Sequence, residues 1–159
     1  MSATIRRAGE DDLAALLALR RRFLESQIAA GLLDLPADPE ASLAAGTPAI
    51  LRGARNDVLL AEDGEGAAVG YLYAATRVAP GMRQPRIGAV EEVFVAPEAR
   101  AAGLARVLVE RALALMRERG AERLQLRVLA GNEGARAFWR AVGFVENVLI
   151  LEMPREASA

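Results

Sequence analysis

The stretch from residue 90 to residue 108 constrains the fold most, because the spacing of its apolar residues changes within a few positions. Strand-forming residues come first, namely Val90, Val93, Phe94 and Val95. Pro97 then ends the strand, because it lacks a backbone N–H and fixes φ. Further on, apolar residues recur at helical spacing, at Leu104, Val107, Leu108, Ala112 and Leu115. The stretch therefore predicts a strand, a short loop and a helix that Gly120 can end.

Small residues dominate the junction between this strand and this helix: Ala101, Ala102, Gly103 and Ala105, preceded by Arg100. The N-terminus of a helix carries unpaired N–H groups and the positive end of the helix dipole, so it can bind a phosphate group. The alternative is a single Ala-rich helix from Pro97 to Arg119, which would hold a glycine inside it at a cost of about 1 kcal/mol relative to Ala. These residues alone leave both interpretations open.

Residues 93–108 resemble the coenzyme A-binding motif of the GNAT superfamily of N-acetyltransferases. The motif stands here as Val95-x-Pro97 followed by Arg100-x-x-Gly103-x-Ala105. A second family motif follows downstream as Asn132-x-x-Ala135-x-x-Phe138-Trp139 and then Gly143-Phe144. Two motifs in the family order make the resemblance specific from about Val90 to Phe144, and it is weaker before that.

The resemblance implies an enzyme that transfers an acetyl group from acetyl-CoA, its co-substrate, to a primary amine on a small molecule or a peptide. It also implies that the coenzyme lies in a V-shaped gap between the central parallel strands. Many family members are dimers, so a homodimer is a possible assembly. Carried over position by position, the coenzyme-binding residues are Phe94, Val95, Arg100, Ala101, Ala102, Gly103, Leu104, Ala105, Arg106, Asn132, Ala135, Phe138 and Trp139.

The order of the predicted elements indicates a single α/β (α+β) domain over residues 1–159. A strand and two helices are followed by three strands, the first two forming a hairpin around residues 63–66, and then by alternating helices and strands. Strands joined through a helix should be parallel. We therefore expect the GNAT-like fold, a mixed central sheet of six to seven strands with about four helices on both faces. Its last strand should run from Val145 to Met153.

The sequence contains no cysteine, histidine or lysine. These absences exclude cysteine nucleophiles, Ser-His-Asp triads, Schiff-base lysines and metal sites built from Cys or His. Acid–base chemistry must then come from Asp, Glu, Tyr or a terminal amine, and we expect no metal. This inventory favours a reaction in which a bound co-substrate supplies the reactive group.

Glu91 and Glu92 interrupt the apolar strand and are the candidate catalytic residues. Successive strand residues face opposite sides, so Glu91 should share a face with Val95, and Glu92 should share one with Val90. Partial burial raises the pKa of a carboxyl group, which suits a general base.

In the family, a Glu on this strand often serves as the base for the attacking amine, and the strand backbone holds the acetyl carbonyl. We prefer Glu91 for this role because it faces the same way as the apolar residues that follow it. The alternative for both carboxylates is a salt bridge to Arg86 or Arg127.

Trp139 departs from the family pattern, which often has Tyr there as the proposed acid for the departing thiolate. An indole N–H donates a hydrogen bond but is not a proton-transfer acid at neutral pH. A thiolate with a pKa of about 8.5 is still a tolerable leaving group, and Tyr71 or Tyr73 could replace the acid if either points into the cleft. The departure also motivates a different hypothesis, a non-catalytic acyl-CoA-binding or regulatory module.

The net charge of −1 gives no general attraction to nucleic acid or to a membrane. The run Arg20–Arg22 is interpreted as a solvated helix face, because consecutive helix residues point in different directions. No segment is apolar enough to span a bilayer and the first residues do not resemble a signal peptide, so a cytoplasmic protein is expected. The resemblance places the amine acceptor against residues 23–37 and 80–86, whose charged side chains could attract groups of opposite charge.

Overall fold

The structure, a computed structural model, describes residues 3–32, 37–78 and 86–153, with the backbone alone at residues 101 and 102. Within these ranges the strands are β1 Thr4–Arg7, β2 Asn56–Glu62, β3 Ala68–Val78, β4 Arg86–Val95 and β5 Arg123–Leu126. The α-helices are α1 Leu13–Ala29, α2 Pro39–Arg52, α3 Leu104–Glu118 and α4 Glu133–Val142. Short 3-10 helices over Glu10–Asp12 and Pro97–Ala102 precede α1 and α3.

The strands form one mixed sheet in the order β1-β2-β3-β4-β5. Neighbours from β1 to β4 are antiparallel, and β2 and β3 are joined by a tight turn in which Gly66 N donates to Asp63 O at 3.1 Å. The β4 and β5 strands are parallel because α3 connects them. This arrangement confirms the mixed sheet, and the helices do lie on both of its faces.

The prediction of six to seven strands is wrong, because the described ranges contain five. The predicted last strand from Val145 to Met153 forms neither a helix nor a strand. Its residues have strand-forming side chains, but a strand also needs a neighbour for its backbone groups, and the segment has none within the described part of its own chain.

Gly103 separates the 3-10 helix Pro97–Ala102 from α3. Its backbone is left-handed, with φ 68° and ψ 16°. Nothing lies within 4 Å of the position that a Cβ would take, so the conformation and not the available space requires glycine here. The helix therefore begins at Leu104, and the alternative of a single helix from Pro97 is wrong.

The sheet has a core on each face. One face packs against α3 and α4 around Leu108 and Met116, and we call it the α3 face. The other packs against α1 and α2 around Leu16, Leu60 and Tyr71, and we call it the α1 face. The β4 strand serves both cores, because successive side chains alternate between the faces.

Candidate active site

A gap opens between β4 and β5, because the two strands pair over only four residues each. Residues 87–90 pair with residues 123–126, and β4 then continues to Val95 without β5 beside it. On its other edge, Ala96 N donates to Val69 O of β3 at 2.8 Å. Backbone groups of successive residues point to opposite edges, so those of Val95 point toward the gap. In the part of the chain that the structure describes, β4 thus presents to the gap an edge that has no partner strand.

The start of α3 is open to an anion, whereas the start of α4 is not. Gly103 makes no side-chain cap hydrogen bond, so no cap side chain satisfies the first N–H groups of α3. Nearby, Arg100 Nε donates to Val95 O at 3.1 Å, which holds a guanidinium beside the unpaired edge. At α4, by contrast, Asn132 Oδ1 accepts from Ala135 N at 3.0 Å. The Asn132 side chain therefore caps α4.

Most of the predicted coenzyme-binding residues with described side chains lie on or beside the α3 face. Those in the core of this face or packed against it are Val95, Leu104, Ala105, Ala135, Phe138 and Trp139. Arg106 lies in the first turn of α3 and pairs with Glu110 at 3.0 Å. Phe94 differs, because it belongs to the core of the α1 face, 6.0 Å from the ring of Phe23. The side chain of Phe94 is thus on the opposite side of the sheet from the others.

Trp139 is buried in an aromatic cluster. Its ring centroid lies 5.0 Å from that of Phe138 and 5.5 Å from that of Phe144, both edge to face. Pairs of this geometry add to core stability. Trp139 therefore belongs to the core of the α3 face, and Phe138 packs against that core.

A β-bulge places Glu91 and Glu92 together. Tyr73 of β3 pairs with Glu92, whereas the next residue, Ala74, pairs with Val90, so Glu91 is an extra residue in β4. Both carboxylates line one cavity, and Val90 shares the α3-face core with Val95. The prediction of opposite faces for the two glutamates is wrong, because simple alternation does not hold across a bulge.

Glu92 is held tightly on the α1 face. Arg20 binds it in a bidentate pair, with Nη2 donating to Oε1 at 2.7 Å and Nε donating to Oε2 at 2.9 Å. The hydroxyl of Tyr71 also donates to Oε2, at 2.8 Å. Arg20 reaches Thr47 Oγ1 as well, at 2.8 Å. Three of the roughly four acceptor positions of the Glu92 carboxylate are therefore occupied.

Arg20 is the site residue that the sequence analysis missed. Of the run interpreted as a solvated face, Arg21 and Arg22 do form exposed pairs, with Glu40 and Glu98. The Arg20 side chain is only 12% exposed and reaches the sheet instead. Arg20 follows Leu16 by four residues, so it lies on the same buried face of α1. This spacing was the feature of the sequence that could have predicted that Arg20 points toward the sheet.

Glu91 lines a cavity of about 600 Å³, which is the size of a small-molecule site. It forms an ion pair with Arg77, whose side chain is 59% exposed. Neither carboxylate pairs with Arg86 or Arg127 as the sequence alternative proposed, although Arg127 does line the cavity. The lining residues are Arg55, Asn56, Tyr73, Ala75, Thr76, Arg77, Glu91, Glu92 and Arg127.

A second cavity, of about 230 Å³, lies between α1 and α2 and also ends at Glu92. Phe23, Leu24, Pro39 and Leu43 give it apolar walls. Part of this lining falls within residues 23–37, where the resemblance places the acceptor, and that placement stays a prediction. The loop residues expected to contact the acceptor at positions 33–36 and 80–85 lie outside the described residues.

The two tyrosines occupy different environments. Tyr71 is fully buried, and its burial, together with the neighbouring Glu92 carboxylate, raises its pKa well above the usual value of 10.0. Tyr73 is half-buried and lines the larger cavity, and burial raises its pKa as well. Tyr73 is therefore the tyrosine whose phenol can meet a ligand in that cavity.

Two other kinds of site are absent from the described ranges. No set of three or more acidic, Cys or His side chains is placed to hold a metal ion there. The helices in the same ranges are too short or too polar to cross a membrane.

Comparison with known proteins gives the family. A family model described as "Acetyltransferase (GNAT) family" matches residues 20–144. Among solved structures, the aminoglycoside antibiotic 6'-N-acetyltransferase AAC(6')-Ih from Acinetobacter baumannii is 22% identical with a TM-score of 0.77, covering 99% of this chain and 100% of that one. AAC(6')-Iy, solved with a bisubstrate analogue of coenzyme A, is 19% identical with a TM-score of 0.79 over 99% of this chain and 100% of that one.

A putative acetyl transferase from Pyrococcus furiosus is 20% identical with a TM-score of 0.78, over 97% of this chain and 100% of that one. No curated protein sequence matches. Identities this low show a shared fold, and the family model shows descent. The chain belongs to the GNAT family of acetyltransferases.

Proposed function

We propose that the protein is an acetyl-CoA-dependent N-acetyltransferase that acts on a primary amine by direct attack, with Glu91 as the general base. The observation that carries the proposal is the juxtaposition of two features along β4. The strand has an unpaired edge beside the open start of α3, and its bulge presents a carboxylate to a cavity of small-molecule size.

The residues around the gap fit coenzyme A. The first N–H groups of α3 and the guanidinium of Arg100 suit the charge of a pyrophosphate. The absence of a Cβ at Gly103 and its left-handed backbone let the chain turn sharply at this point. The unpaired edge of β4 offers N–H and C=O groups to the amide groups of the pantetheine arm.

When bound, acetyl-CoA supplies an acetyl group on a thioester. Glu91 accepts a proton from the amine, which at a pKa near 10.4 for an alkylamine is otherwise protonated at neutral pH. As the N–C bond forms and the C–S bond breaks, a backbone N–H on the free edge of β4 donates to the developing oxyanion. The leaving thiolate takes up the second proton, which the attacking nitrogen loses as the amide forms, and Tyr73, kept protonated by its raised pKa, can donate a hydrogen bond toward the sulfur.

Glu91 suits this role better than Glu92. Its partner, Arg77, has a largely exposed side chain, so this arginine can move into solvent when an amine enters the cavity. Glu92 is bound by Arg20 and Tyr71, which leaves it little capacity to accept a substrate proton. Glu92 therefore acts as a positioning residue that fixes the wall between the two cavities.

The charge of the larger cavity supports an acceptor amine that also carries an acidic group. Three arginines and two glutamates line it, and both glutamates are already paired with arginine. Within the described ranges, Arg55 and Arg127 have no carboxylate within ion-pair distance. Several structural neighbours are aminoglycoside acetyltransferases. A polycationic aminoglycoside would place like charges against these arginines, so we expect this protein to prefer a different acceptor.

The test measures coenzyme binding and turnover separately. At a ligand concentration 100 times its Kd, acetyl-CoA should add about 2.7 kcal/mol of stability, which raises the Tm by roughly 5–11 °C. Glu91→Gln should keep this shift and lower the amine-dependent release of CoA thiol by about 10²–10⁴-fold. The matched control Glu65→Gln, in the exposed turn between β2 and β3, should change neither quantity.

The amine panel should contain an amino acid, a phosphorylated amine, an uncharged alkylamine and a polycation. We expect the anionic amines to give the highest kcat/KM. Binding of acetyl-CoA with thiol release that no amine accelerates would favour the non-catalytic module instead. Full activity of Glu91→Gln would remove the proposed base.

A further inference from the structure

The ion pair between Arg77 and Glu91 lies in the larger cavity, and it must open before Glu91 can take a proton from an amine. Both side chains line this cavity, and that of Arg77 is largely exposed. Among the described residues, the buried Oε1 of Glu91 meets the Arg77 guanidinium without a hydrogen bond of regular geometry. The Glu91 carboxylate is therefore free to change partners, whereas that of Glu92 is held by several hydrogen bonds.

The pair extends across the cavity along the direction of the strands. Tyr73, Ala75 and Arg77 alternate onto one face of β3, and all three line the cavity. Glu91 is the bulge residue beside Tyr73, whereas Arg77 lies four residues further along β3, about 13 Å at the usual rise of a strand. The two charged side chains must therefore reach toward each other past Ala75, which is small. A ligand that binds over this alanine displaces the pair.

An amine alone is a poor ligand for this cavity. Arg55 and Arg127 also line it, and neither has a carboxylate within ion-pair distance in the described ranges. When an ammonium group takes Glu91, Arg77 loses its partner as well, so three guanidinium groups share the cavity without an anion. Glu92 does not compensate, because an arginine from α1 already holds it. Like charges repel, so an amine that also brings a negative charge binds more tightly than one that does not.

We propose that the acceptor is a zwitterion of the amino acid type, which opens the Arg77–Glu91 pair and binds its ammonium group to Glu91 and its carboxylate to Arg77. The inference rests on the function proposed above and names the substrate class of the same site. Each member of the internal pair then exchanges one partner for another of equal charge, so no ion pair is lost. The planar guanidinium also matches a carboxylate, to which it can donate two parallel hydrogen bonds.

The exchange of partners also controls when the base is free. Without an acceptor, Arg77 occupies Glu91, which hinders this carboxylate from activating water against a thioester. Transfer of the acetyl group turns the ammonium into a neutral amide, so the product no longer offers a cation to Glu91. Once the Glu91 carboxyl group has returned its proton to solvent, Arg77 can pair with it again. Binding of the zwitterion and release of the product are thus two directions of one exchange.

A panel of α-amino acids, each matched with its own amide, isolates the effect of the carboxylate. The measured quantity is kcat/KM, from the amine-dependent release of CoA thiol. Arg77→Gln should lower kcat/KM for the amino acids by roughly 10–100-fold, the size of one lost charge-assisted hydrogen bond, and should raise it for the amides. Arg77→Lys should restore part of the activity toward the amino acids. A parallel loss toward amino acids and amides would mean that Arg77 is only structural, and would overturn the proposal.

Arg140→Gln is the matched control. It breaks another exposed ion pair, with Glu146, and the Arg140 side chain is 57% exposed against 59% for Arg77. This variant should leave kcat/KM unchanged for both members of every matched pair. A change of preference as large as that of Arg77→Gln would show that the loss of any surface arginine is enough, and would overturn the assignment to Arg77.

Binding gives a test that does not require turnover. Calorimetry on protein saturated with CoA measures the affinity for each amino acid and for its amide. The amino acids should bind more tightly to wild type, and Arg77→Gln should remove the difference. If this holds while Glu91→Gln is fully active, the zwitterion site stands and the base proposed above is wrong. If turnover depends on Glu91 but the amides bind as tightly as the amino acids, or no amino acid binds, the function stands and the zwitterion inference is overturned.

Discussion

The two faces of β4 differ in the kinds of side-chain contact that they make. On the α3 face, β4 adds apolar side chains to a core with Leu108 and Met116. On the α1 face, the same strand places Glu92 in a network with Arg20 and Tyr71. The apolar face gains from burial in proportion to area, whereas the polar face is stable only while every partner remains. β4 therefore adds packing alone to the α3-face core, whereas on the α1 face it adds both packing, through Phe94, and a positioned carboxylate, through Glu92.

A large stability effect is expected on the polar face. Arg20→Leu leaves Glu92 without its cation in a partly buried site, and removal of one partner of a buried pair costs roughly 3–5 kcal/mol. We expect the lower end of this range, because the Glu92 side chain is 21% exposed. Urea denaturation measures the loss. Arg21→Leu, which breaks an exposed pair on the same helix, should cost less than about 1 kcal/mol.

The double variant Arg20→Leu with Glu92→Gln tests the cause of this loss of stability. If Arg20→Leu destabilises the protein because it leaves the Glu92 charge unpaired, then neutralising Glu92 should restore part of the lost free energy of unfolding. A double variant less stable than Arg20→Leu alone would show that packing of the arginine stem, and not charge, dominates the polar face.

On the apolar face, Leu108→Ala should lower the free energy of unfolding by about 2–5 kcal/mol. Leu108 is fully buried, so its truncation leaves a cavity in the core. Val107→Ala, one position along α3 and 49% exposed, should change stability by no more than about 0.5 kcal/mol. Both are read from the midpoint of urea unfolding. Equal effects for the two variants would contradict the assignment of this face to the core.

A smaller effect than that of Arg20→Leu is expected for Tyr71→Phe, which removes one hydrogen bond to Glu92 and should lower the free energy of unfolding by roughly 1.5–3 kcal/mol because the acceptor is charged. This variant also has a pH signature. The raised pKa of Tyr71 means that its contribution is complete below the unfolded value near 10 and is lost as pH rises toward the folded value. Wild type should therefore lose stability above pH 10 faster than Tyr71→Phe does. Parallel curves would mean that Tyr71 titrates normally.

Much of the α3 side could be predicted from the sequence, because its signals are local. The glycine at residue 103 and the helical spacing after it fix the start of α3, and Asn132 caps α4 as its position suggests. The bulge at Glu91 could not be found this way, since it is a property of the register between two strands. The partner of Glu92 was hidden for the same reason, because it comes from a helix 72 residues earlier in the chain.

The C-terminal segment shows the limit of strand propensity. Residues 145–153 have the side chains of a strand, yet they form none within the described chain. Side chains determine whether a segment tolerates the extended conformation, but the backbone must still find an edge with which to pair. Local composition therefore predicted that the segment prefers an extended conformation, but it could not predict whether the segment pairs with a neighbouring strand.

The bulge has one more consequence, which concerns how freely the site can change over evolution. If residue 91 were absent, Val90 and Val93 would still alternate correctly around Glu92, and both cores would keep their residues. The alternation of β4 and the two cores therefore do not depend on the residue at position 91. Its identity can drift or be selected for chemistry without disturbing the sheet, so one scaffold can acquire, lose or exchange its catalytic group while remaining folded.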